Sequence, residues 1–166
     1  METLIVNGVF GSGKTTVVEE MAEQMESLGL PFGAIDLDWL CWFFIPDLDD
    51  AAVDRTVAAN LAAVVENYAR AGVEYLLMAG TLADQSGIDA LAAAIGFRPR
   101  VVRLVVPFAD IEARLESAVT TGRLADLRRS REQLREGVGE VGDLEVANDR
   151  PVPLVARQIL EWLGWI

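Results

Sequence analysis

One octapeptide near the start of the chain combines glycines, a lysine and a hydroxyl residue in the spacing G-x-x-x-x-G-K-T. It runs from Gly8 to Thr15 and reads Gly-Val-Phe-Gly-Ser-Gly-Lys-Thr. Glycines let a backbone wrap closely around an anion, so that several N–H groups point inward. The lysine of this motif reaches the β- and γ-phosphates of a nucleotide, and the hydroxyl that follows it binds Mg²⁺. The motif therefore predicts a site for ATP or GTP with Mg²⁺.

The predicted nucleotide site draws its residues from this loop and from the helix that starts there. The positive end of the helix dipole points at the same anion. The residues expected to contact the nucleotide are Gly8, Gly11, Ser12, Gly13, Lys14, Thr15 and Thr16. Lys14 is the only lysine among fourteen basic residues. An Asn-Lys-x-Asp element, with which GTPases read guanine, therefore cannot exist in this chain.

A pair of aspartates, Asp36 and Asp38, ends the second predicted strand, residues 34–38. Side chains at i and i+2 of a strand project to the same side. The third predicted strand ends in glycine and threonine, without the carboxylate that usually steadies the Mg²⁺ shell. We expect Asp36 to hold Mg²⁺ together with Thr15, and Asp38 to accept the proton of an attacking hydroxyl. The alternative is that one of the two aspartates only caps a turn.

The segment after these aspartates is rich in acids and aromatics. Between Thr15 and Asp54 there is no lysine or arginine. A phosphorylated acceptor needs cations there, so the gap argues against a nucleoside monophosphate as acceptor. The residues expected to face a neutral or cationic hydroxylated acceptor are Asp38, Trp39, Trp42, Gly80 and Thr81. The alternative for the aromatic residues is packing beneath the next helix or in a dimer surface.

These residues need a scaffold that brings them together. Hydrophobic patterns predict strands at residues 3–7, 34–38, 73–79, 101–106 and 144–147, with helices at 14–28, 50–71, 88–95, 108–120 and 152–163. Asp50 is the expected N-cap of the second helix, and Gly72 ends it. Alternating strands and helices predict a three-layer α/β/α fold with a five-stranded parallel sheet. In such sheets ligands bind beyond the carboxyl ends of the strands.

The strand, glycine loop, helix and Asp-x-Asp pair together resemble the P-loop NTPase superfamily. Within it they are similar to the small-molecule kinases, the group of shikimate, gluconate and adenylyl-sulfate kinases and chloramphenicol phosphotransferase. The resemblance implies transfer of the γ-phosphoryl of Mg·ATP to a hydroxyl of a small, non-phosphorylated acceptor. It covers nearly the whole chain in element order, but only the loop and the aspartates in sequence. Two alternatives stay open: a nucleotide-binding or hydrolysing switch, and a nucleotide or cofactor kinase.

An arginine-rich stretch lies where the related kinases place a lid that closes over ATP. The resemblance implies a lid at about residues 121–137. Its arginines do not align with the pattern of any one family, and we expect Arg123 to contact phosphate, with Arg128 and Arg131 as lesser candidates, and Arg114 to stack on the adenine. An arginine that stabilises the transferring phosphoryl group accelerates transfer by about 10³–10⁵-fold in such enzymes. The alternative is a solvated helix whose arginines pair with neighbouring acids.

Composition narrows the class of protein further. The 166 residues suit one domain, 1–166, and 52% are hydrophobic, as in globular proteins. A net charge of −12 argues against nucleic-acid binding. With no histidine and one cysteine, catalytic triads built on histidine and cysteine-based metal cages are excluded. The sequence contains no apolar run of membrane-spanning length and no signal peptide, so we expect a cytoplasmic protein, either a monomer or a homodimer.

Overall fold

A computed structural model describes residues 1–40, 42–116, 123–137 and 140–166, and only the backbone at 114–116 and 123–127. The strands are β1 (Glu2–Asn7), β2 (Phe32–Asp36), β3 (Tyr75–Ala79), β4 (Arg100–Val105) and β5 (Leu144–Ala147). The helices are α1 (Lys14–Ser27), α2 (Leu37–Leu40), α3 (Asp50–Ala71), α4 (Gln85–Ile95), α5 (Phe108–Glu116), α6 (Arg123–Arg135) and α7 (Val152–Leu163). No helix within the described ranges has the length and apolarity needed to cross a membrane.

The five strands form one parallel sheet in the order β2-β3-β1-β4-β5. Strand β1 lies at its centre, where Val6 pairs with Ala79 on one side and Val102 on the other. The predicted five-stranded parallel sheet is therefore confirmed. Because β1 and β3 are neighbours and β2 lies next to β3, the loops after all three strands meet at the same edge of the sheet.

Apolar side chains alternate along β1 and cover both faces of the sheet. Leu4 and Val6 face a core built with α1 and α7, whereas Ile5 faces a second core built with α3 and α4. All three side chains are fully buried. Burial of each such side chain contributes about 1.5–3 kcal/mol. The two cores hold the sheet between two helical layers and so fix the positions of its carboxyl ends.

Several boundaries differ from the sequence predictions, and three of these differences have a clear local cause. Strand β2 ends at Asp36, because the chain turns into the short helix α2 at the next residue. The N-cap of α3 is Asp49 rather than Asp50, since the Asp49 carboxylate accepts a hydrogen bond from the N–H of Ala52. Helix α4 begins earlier than residue 88, because Asp84 caps it. Gly72 ends α3 with a positive φ of 94°, as predicted.

Candidate active site

The loop between β1 and α1 has a backbone that only glycine adopts readily. Gly8, Gly11 and Gly13 have φ values of 150°, 80° and 93°. A Cβ atom on Gly8 would lie 2.8 Å from the Ser12 hydroxyl oxygen and 3.1 Å from the carbonyl oxygen of Leu104. The positive φ values favour glycine at all three positions, and at Gly8 there is also no room for a Cβ atom.

Helix α1 starts at this loop with a glycine, which has no side chain to cap the first N–H groups. Its N-cap is Gly13, which makes no side-chain capping hydrogen bond, and the first turn contains no acidic residue. The first N–H groups of a helix have no partner within the helix and carry the positive end of its dipole. This end of α1 is therefore built to receive an anion.

Lys14 lies inside the loop rather than in solvent. Its side chain is buried, and its Nζ donates a hydrogen bond of 3.1 Å to the carbonyl oxygen of Val9. Burial lowers the pKa of Lys14 below its ordinary value, and the negative charges of Asp38 and Asp36 partly oppose that shift. A buried ammonium among loop N–H groups and close to two carboxylates fits a phosphate chain that carries a divalent cation.

The hydroxyl of Thr15 is joined to the end of β2. Its Oγ1 donates a 2.6 Å hydrogen bond to Oδ2 of Asp36, whose other oxygen accepts the N–H of Asp38 at 2.8 Å. A hydroxyl and a carboxylate are oxygen ligands of the kind that Mg²⁺ takes together with substrate phosphates. No cluster of three or more acidic or cysteine side chains suited to a metal occurs in the described ranges. Thr15 and Asp36 therefore fit an Mg²⁺ ion that arrives with a nucleotide.

The position of Asp38 corrects the expected geometry of the aspartate pair. Asp38 lies in the first turn of α2 and not in β2, so the two aspartates do not project from one strand side by side. Asp36 itself causes this change, since its carboxylate accepts the N–H of Asp38 and starts the helix. The Asp38 side chain is exposed and makes no hydrogen bond or ion pair with any described residue. It nevertheless lies close enough to Lys14 for its charge to raise the lysine pKa.

The residues expected to face an acceptor fall into two groups. Trp39 and Trp42 are 67% and 75% exposed, and their rings lie 5.0 Å apart, so the alternative of packing beneath the next helix does not apply to them. Gly80 and Thr81 instead line the inside of the site. Leu37 covers Gly80, where a Cβ would lie 2.8 Å from its side chain, and the Thr81 hydroxyl donates to the carbonyl oxygen of Gly8 at 3.0 Å.

Sequence reasoning missed a buried asparagine at the end of β1. The Asn7 Oδ1 atom accepts hydrogen bonds of 2.8 Å from the N–H groups of Gly8 and Leu82, and its Nδ2 donates to the carbonyl of Val141 at 3.0 Å. Asn148, after β5, donates to the carbonyl of Ser12 at 2.8 Å. The hydrogen bonds of Asn7 and Asn148 therefore connect the loop between β1 and α1 to residues near the ends of other strands. The only sequence signal for Asn7 is a polar residue that ends an apolar strand just before the glycines.

Among the described side chains of helix α6, those that hydrogen-bond to the loop are Ser130 and Gln133 rather than arginines. The Phe10 N–H donates to Oε1 of Gln133, and the Ser130 hydroxyl donates to the Phe10 carbonyl, each at 2.8 Å. Arg131 forms an ion pair with Glu112 and lies 5.3 Å above the ring of Phe108. The side chains of Arg114 and Arg123 lie outside the described residues.

Comparisons with known proteins agree on the fold. A sugar kinase from Janibacter sp. has a TM-score of 0.68 at 22% identity, over 99% of this chain and 95% of its own. A gluconokinase from Sinorhizobium meliloti has a TM-score of 0.64 at 24% identity, over 99% and 92%. The APS kinase from Mycobacterium tuberculosis, in complex with AMPPNP and APS, has a TM-score of 0.65 at 21% identity, over 98% and 97%.

These solved structures establish the architecture of the chain. It has the fold of the P-loop small-molecule kinases over nearly its full length, which confirms the resemblance stated on its motifs. No family model matches the sequence, and no curated protein matches it. Identities below 25% show the fold, while the assignment of chemistry depends on the residues of the site.

Proposed function

We propose that this protein is an ATP-dependent kinase that phosphorylates a hydroxyl of a small, non-phosphorylated acceptor. The observation that carries the proposal is the 2.6 Å hydrogen bond between Thr15 and Asp36. It joins the expected metal-binding hydroxyl of the loop to a carboxylate at the end of β2, beside buried Lys14 and exposed Asp38. The bound AMPPNP of the APS kinase supports ATP as the donor.

The proposal gives each loop residue a role in holding the triphosphate. Backbone N–H groups at the end of the loop and at the start of α1, from Gly13 to Thr16, would surround the phosphates, and Lys14 would contact the β- and γ-phosphates. The N–H groups of Gly8, Phe10 and Ser12 instead hold the loop in shape through Asn7, Gln133 and Val9. Thr15 and Asp36 would hold Mg²⁺, which neutralises phosphate charge as the transfer proceeds. Arg123 in a lid at about 121–137 and Arg114 complete the donor side. The chain would act as a single domain in the cytoplasm.

The transfer step assigns the acceptor proton to Asp38. The acceptor hydroxyl oxygen forms a bond to the γ-phosphorus while the bond from that phosphorus to the bridging oxygen of ADP breaks. The hydroxyl proton passes to the Asp38 carboxylate, which is exposed and available because no described residue pairs with it. Lys14 holds the charge that develops on the phosphoryl oxygens.

Acceptor-dependent ADP release tests the proposal directly. Hydroxylated metabolites and antibiotics are screened with the full chain, Mg²⁺ and ATP in a coupled assay for ADP. We expect slow ADP release alone and faster release with the right acceptor, accompanied by a phosphorylated product detected by mass spectrometry. A chain that binds AMPPNP but releases ADP only with a protein partner would be a switch, and monophosphates as the sole acceptors would indicate a nucleotide kinase.

The lowered pKa of Lys14 predicts proton uptake when nucleotide binds. Burial favours the neutral amine, so the free protein loses the Lys14 proton at a lower pH than an ordinary lysine with a pKa of about 10.5. The triphosphate selects the ammonium, and therefore affinity for AMPPNP should fall as pH rises toward that value. Calorimetry over a series of pH values up to about 10.5, in two buffers of different ionisation enthalpy at each pH, measures the uptake. Equal heats in the two buffers would contradict the prediction.

The contact between α6 and the loop predicts a selective effect of Gln133→Ala. Loss of the acceptor for the Phe10 N–H should loosen the loop and weaken AMPPNP binding by about threefold to tenfold, the value of one hydrogen bond. Gln85→Ala is the matched control, since the Gln85 amide bonds only the exposed Asp89. Titration calorimetry measures the AMPPNP affinity of both variants. If Gln133→Ala bound AMPPNP as tightly as Gln85→Ala does, α6 would not order the loop.

A further inference from the structure

An apolar surface lies directly beside the proposed transfer site. It consists of Trp39, Trp42, Phe44 and Ile45, called here the aromatic patch, whose exposed fractions are 67%, 75%, 86% and 56%. The Trp39 and Trp42 rings are inclined at 42° to each other with centroids 5.0 Å apart. The two tryptophan rings are in contact, and Phe44 and Ile45 follow Trp42 within three residues of the chain. Exposed apolar side chains clustered in this way mark a binding surface more often than scattered ones do.

Helix α2 orients this patch outward and next to Asp38. Leu37 packs on Gly80 and Leu40 packs against the second core, so these two side chains hold one side of the helix to the sheet. Asp38 and Trp39 are exposed on the rest of the turn. The Trp39 N–H also approaches Oδ1 of Asp36, at 3.4 Å. The aromatic patch thus begins next to Asp38, the proposed acceptor of the hydroxyl proton.

The stretch of chain that carries the patch, residues 36–54, has charges of a single sign. From residue 36 to residue 54 the chain has six aspartates and no lysine or arginine. Asp49 is engaged as the cap of α3, whereas Asp38, Asp47 and Asp50 are exposed. The arginine-rich α6 contacts Phe10 at the tip of the loop and follows β4, on the far side of β1 from β2. The acidic, aromatic segment after β2 and the arginine-rich α6 therefore lie on opposite sides of β1.

We propose that the aromatic patch binds the phosphoryl acceptor, and that this acceptor is a cationic amphiphile: a hydroxylated molecule with a protonated amine and an apolar ring. The inference rests on the proposed function and names the substrate class of its acceptor side. Tryptophan faces attract both apolar rings and cations, and the aspartates complement a positive charge. The same aspartates repel a carboxylate or phosphate, so negatively charged acceptors are rejected.

Three small probes that share a phenyl ring and a benzylic hydroxyl, and differ in the neighbouring group, isolate the effect of charge. Phenylethanolamine is cationic, phenylethylene glycol is neutral and mandelate is anionic. Each is titrated by calorimetry into the full chain saturated with Mg²⁺ and AMPPNP. We expect phenylethanolamine to bind about tenfold more tightly than mandelate, with the glycol between them and the difference smaller at high salt. Equal affinities, tighter binding of mandelate, or no binding of any probe would overturn the inference.

Variants of the patch test where the amine binds. Replacing both Trp39 and Trp42 by Leu should weaken phenylethanolamine about tenfold and leave AMPPNP affinity unchanged. Trp162→Leu, on the surface of α7, is the matched control and should change neither affinity. Unchanged amine affinity in the double variant would refute the assignment of the patch.

Two other results separate this inference from its alternatives. If the chain binds AMPPNP and releases ADP with an anionic acceptor, the proposed kinase function stands and the substrate class is wrong. If AMPPNP does not bind, the proposed function itself fails. A dimer seen by sedimentation that dissociates in the tryptophan double variant, together with no binding of phenylethanolamine, would assign the patch to a second copy of this chain and refute the inference.

Discussion

Replacing Lys14 by Met is expected to abolish phosphoryl transfer while leaving the fold as stable as before or more stable. The lowered pKa of Lys14 means that burial disfavours its positive charge in the free protein. Removal of this charge should therefore not destabilise the fold. Met fills a similar volume without the charge. Transfer should fall by at least about 10²–10³-fold, because a preorganised charge at the developing phosphoryl oxygens is lost. Calorimetry with AMPPNP, the coupled ADP assay and thermal unfolding measure the three quantities.

Arg98→Met is the control for loss of one positive charge from a chain of net charge −12. Arg98 pairs with Asp89 at 3.6 Å on the exposed surface, at the opposite end of the sheet from the loop. The Arg98→Met substitution should leave AMPPNP affinity unchanged. If Lys14→Met bound and transferred as the original protein does, the assignment of the loop to a triphosphate would have to be abandoned.

The architecture could be predicted because its determinants are local and repeated. Helix α3 is marked by an aspartate near its start, a long amphipathic stretch and Gly72 at its end, and the structure places it at Asp50–Ala71. Strand β5 and helix α7 also have the predicted bounds. Parallel strands that alternate with helices allow few topologies, so the element order was sufficient to predict the sheet.

The details of the site depend on contacts that no local pattern encodes. A period of two over residues 34–38 is typical of a strand, but the Asp36 carboxylate accepts the Asp38 N–H and starts a helix inside that stretch. Asn7 and Gln133 reach partners that are more than a hundred residues distant along the chain. Such hydrogen bonds become visible only when the strands and α6 are placed in space.

The exposure of the two tryptophans is the clearest departure from what composition suggests. Aromatic residues are usually buried, and a sequence cannot tell which ones are not. In this fold the aliphatic Leu37 and Leu40 take the inward positions of α2 and leave Trp39 on the surface. The Leu37 side chain already fills the small space above Gly80. The inward side of α2 is therefore occupied, and Trp39 remains on the surface.

Asp38→Asn is expected to separate chemistry from nucleotide binding. The amide keeps the shape of the side chain but is a poor base, so acceptor-dependent ADP release should fall by about 10²–10⁴-fold. AMPPNP affinity at neutral pH should change little, because the Asp38 side chain makes no hydrogen bond or ion pair with any described residue. The matched variant Asp36→Asn should reduce both, since Asp36 accepts the Thr15 hydroxyl at the expected metal position.

A second consequence of Asp38→Asn follows from its charge. Asp38 raises the pKa of Lys14 against the effect of burial, so its neutralisation should lower that pKa further. Proton uptake on AMPPNP binding should then begin at a lower pH in the variant than in the original protein, which buffer-dependent calorimetry measures. A structural role for Asp38 would instead lower thermal stability and nucleotide affinity together. Loss of acceptor-dependent turnover with unchanged AMPPNP affinity would support contact between Asp38 and the acceptor hydroxyl. Onset of proton uptake at a lower pH would place the Asp38 charge beside Lys14.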